Sequence, residues 1–368
     1  MKQLLRELAY SMDDRFDISI LDSGDPARVI AVARCGYDIA IEPLPCDTLQ
    51  KLFDFNSNLL NATSGKGKRP LVQELGDYGQ NLFNFILQKD VYRIYARLPN
   101  SHIRLQIYSN RPDLQAVPWE FLHDPGTVPG PNSFRTVIRI VPTIGVHPPE
   151  PRSFGKKVRM LFVQAEPVGE DSVSWLDIKE SIEREFSAEL PNEFEIEPIE
   201  GTSRQAFMNA FTVKNYDILH FSGHGEISKD GVGSLLFENR KTKKKDPISA
   251  VQLGNFLKNK NLRLVVLSAC NTSAGNFSKE FAVVAKTLVE CGIPAVVANQ
   301  FPITNSIATA FAGGFYSELV KSGDVDRATA EGRIRLNFGP PLADGAARIE
   351  WGIPTLYRHL GAAKVFAP

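Results

Sequence analysis

The chain of 368 residues has little cysteine: four stand at Cys35, Cys46, Cys270 and Cys291. That density is too low for a disulfide scaffold, and the lack of any C-x-x-C pair excludes a zinc ribbon. No run approaches 18 apolar residues, so no segment reads as a membrane span. The opening Met1-Lys2-Gln3-Leu4-Leu5-Arg6-Glu7 is broken by charge before an apolar core forms, unlike a secretory leader. Excess charge of one sign is also lacking. There are 42 basic and 42 acidic residues, and the balance holds on either side of residue 155. A broad phosphate-binding face is therefore not expected, and neither nucleic acid nor membrane is expected as a partner. Internal repeats and low-complexity tracts are missing. What is present is ordinary globular usage, 43% hydrophobic and 23% charged. Free thiols and a cytoplasmic setting are the expectation, and the length suits two domains or one large one.

A boundary is expected at Pro142 to Lys156, where Pro142, Pro148, Pro149 and Pro151 accompany Gly145 and Gly155. Such a stretch can neither pair as a central strand nor run as a helix. It divides the chain into residues 1–150 and 156–368. The first part reads as mixed α/β. Val29 to Leu44 suits one or two strands, while Cys46 to Leu60 and Leu71 to Leu87 suit helices. Val91 to Leu98 and Ile103 to Tyr108 alternate around Pro99-Asn100-Ser101, a hairpin signal.

The second part is more regular. Val158 to Val163, Phe194 to Ile199, Tyr216 to Phe221, Leu262 to Leu267 and Pro294 to Ala298 read as short buried strands. Between them Trp175, Ile178, Ile182 and Phe186 recur at helical spacing, as do Phe281, Val284, Ala285, Leu288 and Val289. Arg204 to Phe211 and Ser306 to Val320 read as further helices. Ser249 to Gln252 forms a capping box, and Gly292 stops the helix before it. Apolar strands alternating with helices predict a mostly parallel sheet covered on both faces. In such sheets ligands bind beyond the carboxyl ends of the strands. Two strands end there in reactive residues: one runs into Ser222-Gly223-His224-Gly225, the other into Ser268-Ala269-Cys270.

A cysteine attacks as its thiolate, and a nearby histidine can take the proton. The tetrahedral intermediate also needs N–H donors for its oxyanion. A glycine after the histidine leaves its own N–H unobstructed, so Gly225 can supply one donor and Cys270 the other. His224 precedes Cys270 by 46 residues. In caspases the separation is about 50 residues in the same order, although such signatures do not transfer between families.

Leu219-His220-Phe221-Ser222-Gly223-His224-Gly225, followed by Leu264-Val265-Val266-Leu267-Ser268-Ala269-Cys270-Asn271-Thr272, resembles the CHAT family of caspase-like proteins. Val117-Pro118-Trp119-Glu120-Phe121 resembles its upstream Pro-Trp-Glu signature, and Trp351-Gly352-Ile353-Pro354-Thr355-Leu356-Tyr357 its closing strand. The resemblance implies a caspase-haemoglobinase sheet with helices on both faces, preceded by a non-catalytic α/β half. It implies a cysteine endopeptidase with His224 as base and Cys270 as nucleophile, acting on a protein substrate without cofactor or metal. A bacterial defence or cell-death role, under an activating or inhibiting protein partner, is part of the same implication. A catalytically silent scaffold of the same fold and a small-amide hydrolase with the same dyad are the competing expectations.

Where the family commonly reads Trp-Pro-Val-Asp-Asp, this chain reads Phe301-Pro302-Ile303-Thr304-Asn305. Both acids are replaced, and Ser268, two residues before Cys270, is neutral as well. The resemblance then implies a substrate pocket at Ser268 and Asn305 that disfavours a basic P1 side chain, unless an acid such as Asp324 or Glu280 enters it. Asn305 could equally cap the helix that follows. Simpler roles are expected elsewhere: His220 structural, since a zinc site needs a third ligand; Trp119 packed between the halves; Asp217 at a surface or turn; Arg240 to Lys245 a solvated loop between strand and helix.

Overall fold

A computed structural model describes residues 16–22, 29–44, 49–63, 67–97, 103–109, 111–125, 127, 129–131, 135–143, 149–153, 157–170, 175–190, 193–268, 280–301, 303–338 and 342–367. Cys270 and the segment around it lie outside the described residues, as does Cys46. The first half contains strands β1 (Phe16–Asp22), β2 (Val29–Cys35), β3 (Asp38–Leu44), β4 (Ile103–Tyr108) and β5 (Arg135–Ile140). Its helices are α1 (Leu49–Thr63), α2 (Val72–Ile86), α3 (Lys89–Ala96) and α4 (Pro112–Ala116). A two-residue strand, β6 (Arg152–Ser153), follows. Next come β7 (Val158–Gln164), α5 (Leu176–Glu189), β8 (Phe194–Ile199), α6 (Arg204–Val213) and β9 (Ile218–Ser222). The antiparallel set β10 (His224–Ile227), β11 (Gly233–Glu238) and β12 (Lys245–Ser249) precedes α7 (Ala250–Leu257) and β13 (Leu264–Ser268). The chain closes with α8 (Glu280–Glu290), β14 (Ala295–Asn299), α9 (Asn305–Ser322), α10 (Val325–Asn337), β15 (Pro354–Arg358) and β16 (Phe366–Ala367).

Eleven strands form one sheet in the order β3-β2-β1-β4-β5-β15-β14-β13-β9-β7-β8. Strands β1, β4, β5 and β15 run parallel to one another. Strands β14, β13, β9, β7 and β8 form a second parallel block. The two blocks meet antiparallel at β14 and β15, with Asn299 opposite Pro354. The sheet therefore continues across the proline-rich boundary, because the last long strand of the chain inserts beside β5 of the first half.

Helices cover both faces of the second block, as the unbroken apolar strands predict. On one face Ile218, Val266 and Val297 pack with Ile182 of α5, Phe315 of α9 and Ala328 of α10. On the other, Leu219, Val265 and Val296 pack with Phe211 of α6, Leu253 of α7 and Val284 of α8. Successive side chains of one strand thus enter different cores.

Several expectations are corrected here. Residues 89–96 form a helix, not the first arm of a hairpin. Buried Val91 and Ile94 lie three apart, and Tyr95 packs against the same core. That spacing makes one helical face, and β4 pairs parallel to β1 instead. Asp217 is buried; it pairs with Arg152 and accepts the Arg159 N–H at 3.0 Å. The basic run forms the turn between β11 and β12, two strands, rather than a strand-to-helix loop. Trp119 packs on Phe85 within the first half and donates its indole N–H to Leu114 O at 2.8 Å.

Its neighbour bridges the halves. The side chain of Glu120 is fully buried and pairs with Arg139 of β5 and, at 3.4 Å, with Arg333 of α10. Its other oxygen accepts from Gln300 Nε2 at 2.9 Å. Burial pushes the Glu120 pKa up, but the two guanidiniums outweigh it and the net direction is down. We expect Glu120→Gln to lower the denaturation midpoint substantially, since removing one member of a buried ionic set typically costs about 3–5 kcal/mol. A midpoint equal to that of the wild type in chemical denaturation would contradict this role.

Candidate active site

The candidate site lies at the carboxyl edge of the second parallel block. Ser222 ends β9 and Ser268 ends β13, and the two are register partners. Beyond them the Gly223 N–H donates to Ser268 O at 3.1 Å. On the other side the Ala165 N–H, just past β7, donates to Ser222 O at 3.1 Å. Three strand ends are thereby stitched together one residue before His224 and two before Cys270. Gly223 is required at this crossing. A Cβ there would lie 2.8 Å from Ala165 O and 3.0 Å from the Phe221 ring.

His224 does not trail off as a loop. It opens β10, pairs with Leu236 of β11, and is 2% exposed. The small sheet is itself anchored: the Glu238 N–H donates to Thr202 O at 2.9 Å, and the Glu238 carboxylate accepts the Glu166 N–H at 3.1 Å. At Gly225 a Cβ would come within 3.2 Å of the Phe281 ring and of Ser234 O, so a larger residue would press on α8.

The segment after β14 forms the next wall. Phe301 and Ile303 are buried, which pins its backbone. Gln300 holds it from behind, donating its backbone N–H to Ile353 O at 2.9 Å and its Nε2 to Gly352 O at 2.6 Å. Thr304 is the N-cap of α9, its Oγ1 accepting from the Ile307 N–H. Asn305 is thus the first helical residue and not the cap. Its Oδ1 is buried without a hydrogen-bond partner among the described residues. Strand alternation directs Ser268 to the face that α9 covers, because Val266 packs there, and Asn305 opens that helix. Asp324 lies elsewhere: it caps α10 beside Asp326, which pairs with Arg358, the last residue of β15, opposite Ala295 at the start of β14 and hence at the opposite edge.

His220 belongs to the core. Its Nδ1 lies 2.9 Å from Tyr316 Oη, and its ring stacks on Phe162 with centroids 4.8 Å apart. Among the described residues no group of three or more His, Cys, Asp or Glu side chains stands close enough to hold a metal. Gln300 carries no signal of its own in the sequence, whereas its partner Glu120 is legible there as the polar member of the Pro-Trp-Glu signature and, with Trp119, as a candidate pocket residue.

A family model for the CHAT domain matches residues 76–351. The chain belongs to the CHAT domain family. A search of curated proteins gives no match. Among solved structures, the Saccharomyces cerevisiae separase–securin complex aligns with TM-score 0.47 and 10% identity, over 96% of this chain and 30% of that chain. The pro- and mature domains of Porphyromonas gingivalis RgpB align with TM-score 0.47 and 12% identity, over 87% and 78%. Caspase-1 from Spodoptera frugiperda aligns with TM-score 0.37 and 10% identity, over 62% and 96%. This chain spans less than a third of the separase chain it matches.

Burial lowers the His220 pKa to about 3, against 6.5 for an ordinary histidine. The unfolded chain therefore takes up this proton first. The contribution to stability is complete above pH 6.5 and is lost as the pH falls toward 3. We expect His220→Phe to be destabilised at pH 7, through loss of the Tyr316 hydrogen bond, yet to lose less further stability on acidification to pH 4.5 than the wild type. Urea midpoints at the two pH values measure this, and parallel acid slopes would contradict it.

Proposed function

We propose that this CHAT-family chain is a cysteine endopeptidase in which His224 is the general base and Cys270 the nucleophile. The observation that carries the reading is the Gly223–Ser268 hydrogen bond at the carboxyl edge of adjacent parallel strands. It joins the two segments that bear the His-Gly and Ala-Cys motifs. Covalent geometry keeps a residue two positions beyond Ser268 within about 7 Å of it. The dyad needs no more than that to come within reach of a shared scissile bond.

In this reading His224 draws the thiol proton from Cys270, and the thiolate sulfur attacks the scissile carbonyl carbon. The carbonyl oxygen becomes an oxyanion, received by the N–H groups of Gly225 and Cys270. His224 returns the proton to the leaving amine as the C–N bond breaks, leaving a thioester on Cys270. Water then attacks the thioester, His224 taking its proton and passing it to the sulfur, which releases the acid. Residues 156–368 carry this chemistry, and residues 1–150 form a non-catalytic half that supports it. A protein partner that activates or restrains the site, in a bacterial defence setting within the cytoplasm, completes the proposal. No helix among the described residues is long and apolar enough to cross a membrane.

Cys270→Ala and His224→Ala should each reduce cleavage at least about a thousandfold, since members of a catalytic unit fail together. Both should keep the wild-type circular dichroism spectrum, whereas Cys35→Ala should retain activity. Equal turnover by wild type and Cys270→Ala, in an assay of new protein N-termini, would reject the protease reading.

Ser268 and Asn305 support a neutral P1 pocket. A buried P1 arginine without a carboxylate would lose several kcal/mol to desolvation. The unpartnered Asn305 Oδ1 offers a single acceptor instead. A P1-varied peptide library should show preference for uncharged side chains, and Asn305→Asp should gain cleavage after Arg and Lys. Strong wild-type preference for basic P1 would overturn the neutral pocket, and no gain in Asn305→Asp would remove Asn305 from it.

A further inference from the structure

Of the three strands that follow the Gly223 crossing, β10 stands at the edge of its sheet, in the order β10-β11-β12. Residues of an antiparallel strand alternate between bonding to the partner strand and pointing away from it. The register decides which residues of β10 do which. Pro247 has no N–H to give and stands opposite Leu236, so that pair is a non-bonded one. Leu236 therefore turns its N–H and C=O the other way, to His224. The hairpin turn agrees: the Ser228 N–H donates to Val232 O at 3.0 Å, and Glu226 and His224 precede Ser228 by two and four residues. His224, Glu226 and Ser228 thus bond to β11, and the N–H and C=O of Gly225 and Ile227 point out of the sheet.

Among the described residues none of these outward groups has a hydrogen-bond partner. Gly225 is buried and Ile227 half-buried. A buried N–H left unpaired is rare in a folded chain and asks for a ligand. Strand edges that stay unpaired are guarded by proline or by charge. β8, the outer strand of the main sheet, has both: Pro198, and Glu195 and Glu197 held by Lys214 at 3.0 and 2.8 Å. β3, at the other end, has Pro43. β10 has no proline, and its acid, Glu226, is held at 2.8 Å by Lys245 of β12, on the far side of the sheet from the free edge. The edge is open to a chain that brings its own N–H and C=O groups.

Strand order fixes which part of a substrate reaches this edge. β13, which leads to Cys270, lies between β14 and β9. The segment 301–305, the pocket wall of the endopeptidase reading, follows β14, whereas β10 follows β9. A chain laid over Cys270 with its P1 side chain on the β14 side has its next residues on the β9 side. The Gly225 N–H, as the oxyanion donor of that reading, sets the register, because it is the first outward group of the edge.

We propose that the free edge of β10 binds the substrate chain beyond the scissile bond, which joins it as a parallel strand. This inference rests on the endopeptidase reading of His224 and Cys270. In a parallel ladder a residue donates to the residue before its partner and accepts from the residue after it. With the P1 carbonyl oxygen on the Gly225 N–H, Gly225 O therefore accepts the N–H of the second residue beyond the bond. The Ile227 N–H donates to the C=O of that same residue. The N–H of the third residue points away. The substrate class is an extended protein segment without proline at the second position, whereas proline at the third is tolerated.

The test uses the full chain on a protein extract, with Cys270→Ala as the blank, and sequences the new protein N-termini. Their second position should hold proline at least tenfold less often than their third. In a decapeptide spanning the most frequent cut, N-methylation of the second residue beyond the bond should lower kcat/KM at least tenfold, and of the third less than about twofold. Ile227→Pro should keep the wild-type circular dichroism spectrum, since its N–H stands outside the β10–β11 ladder. Its loss of kcat/KM should be at least tenfold larger for the decapeptide than for a peptide ending as an amide after the first residue beyond the bond. Proline equally frequent at both positions, equal responses to the two methyl groups, a loss independent of peptide length, or an unfolded Ile227→Pro would overturn the docking edge while leaving the dyad in place. The same new N-termini from wild type and Cys270→Ala would reject the endopeptidase reading, and this inference with it.

Discussion

One buried carboxylate holds the two halves of this molecule in register. Glu120 comes from the short turn before β5, Arg139 from β5 itself, Arg333 from α10 and Gln300 from the end of β14. Three further elements, two of them far along the chain, converge on its two oxygens. Desolvating one acid and two guanidiniums is expensive, and the geometry offsets it by supplying further acceptors. Arg333 donates to Pro354 O at 2.7 Å, and Arg139 to Val117 O at 3.2 Å. Burial brings the Arg333 pKa down to about 10, which still leaves it charged at neutral pH. Such a set contributes more to specifying one arrangement than to net stability. Here the arrangement is the antiparallel junction of two parallel blocks.

That junction explains why the first half matters to a site it does not contain. The carboxyl edge of the second block needs β14 in place, and β14 is flanked by β15, which pairs in turn with β5. Gln300 stands where these requirements meet. It touches Glu120 with its side chain and the turn before β15 with its backbone, and the wall of the candidate pocket begins at the next residue. A helix-covered sheet is stiff, so displacement of this corner would follow from changes at the junction more readily than from changes on the outer helices. The segment 67–71 reaches the same corner through the pair of Arg69 with Glu350.

Small-residue requirements mark where the backbone itself does the positioning. Gly223 permits the β9 chain to cross Ala165 and bond to β13, which delivers His224 to the edge. His220, four residues earlier, points into a core of Phe162 and Tyr316 and keeps its ring neutral. Two histidines so near in sequence thus enter different surroundings, decided by the break in the strand between them.

The sequence by itself determined whatever is encoded in windows of about ten residues. The apolar runs of β7, β9, β13 and β14, the helical spacing of α5 and α8 and the capping box at Ser249 were all legible. So were the strand ends at Ser222 and Ser268, which precede the His-Gly and Ala-Cys motifs. These follow from local periodicity and from a parallel sheet's habit of presenting its carboxyl edge. Local patterns failed where two periods coincide, as over Val91 to Ala96, whose alternation also satisfies a helix. They failed again where a residue's role depends on partners far along the chain. Asp217 became a buried acceptor for Arg152, Thr304 took the cap that Asn305 could have filled, and Glu120 met Arg333 across 213 residues. Charge and polarity in a sequence state what a side chain can do; only the tertiary structure, by removing water from around it, decided which of those bonds it must make.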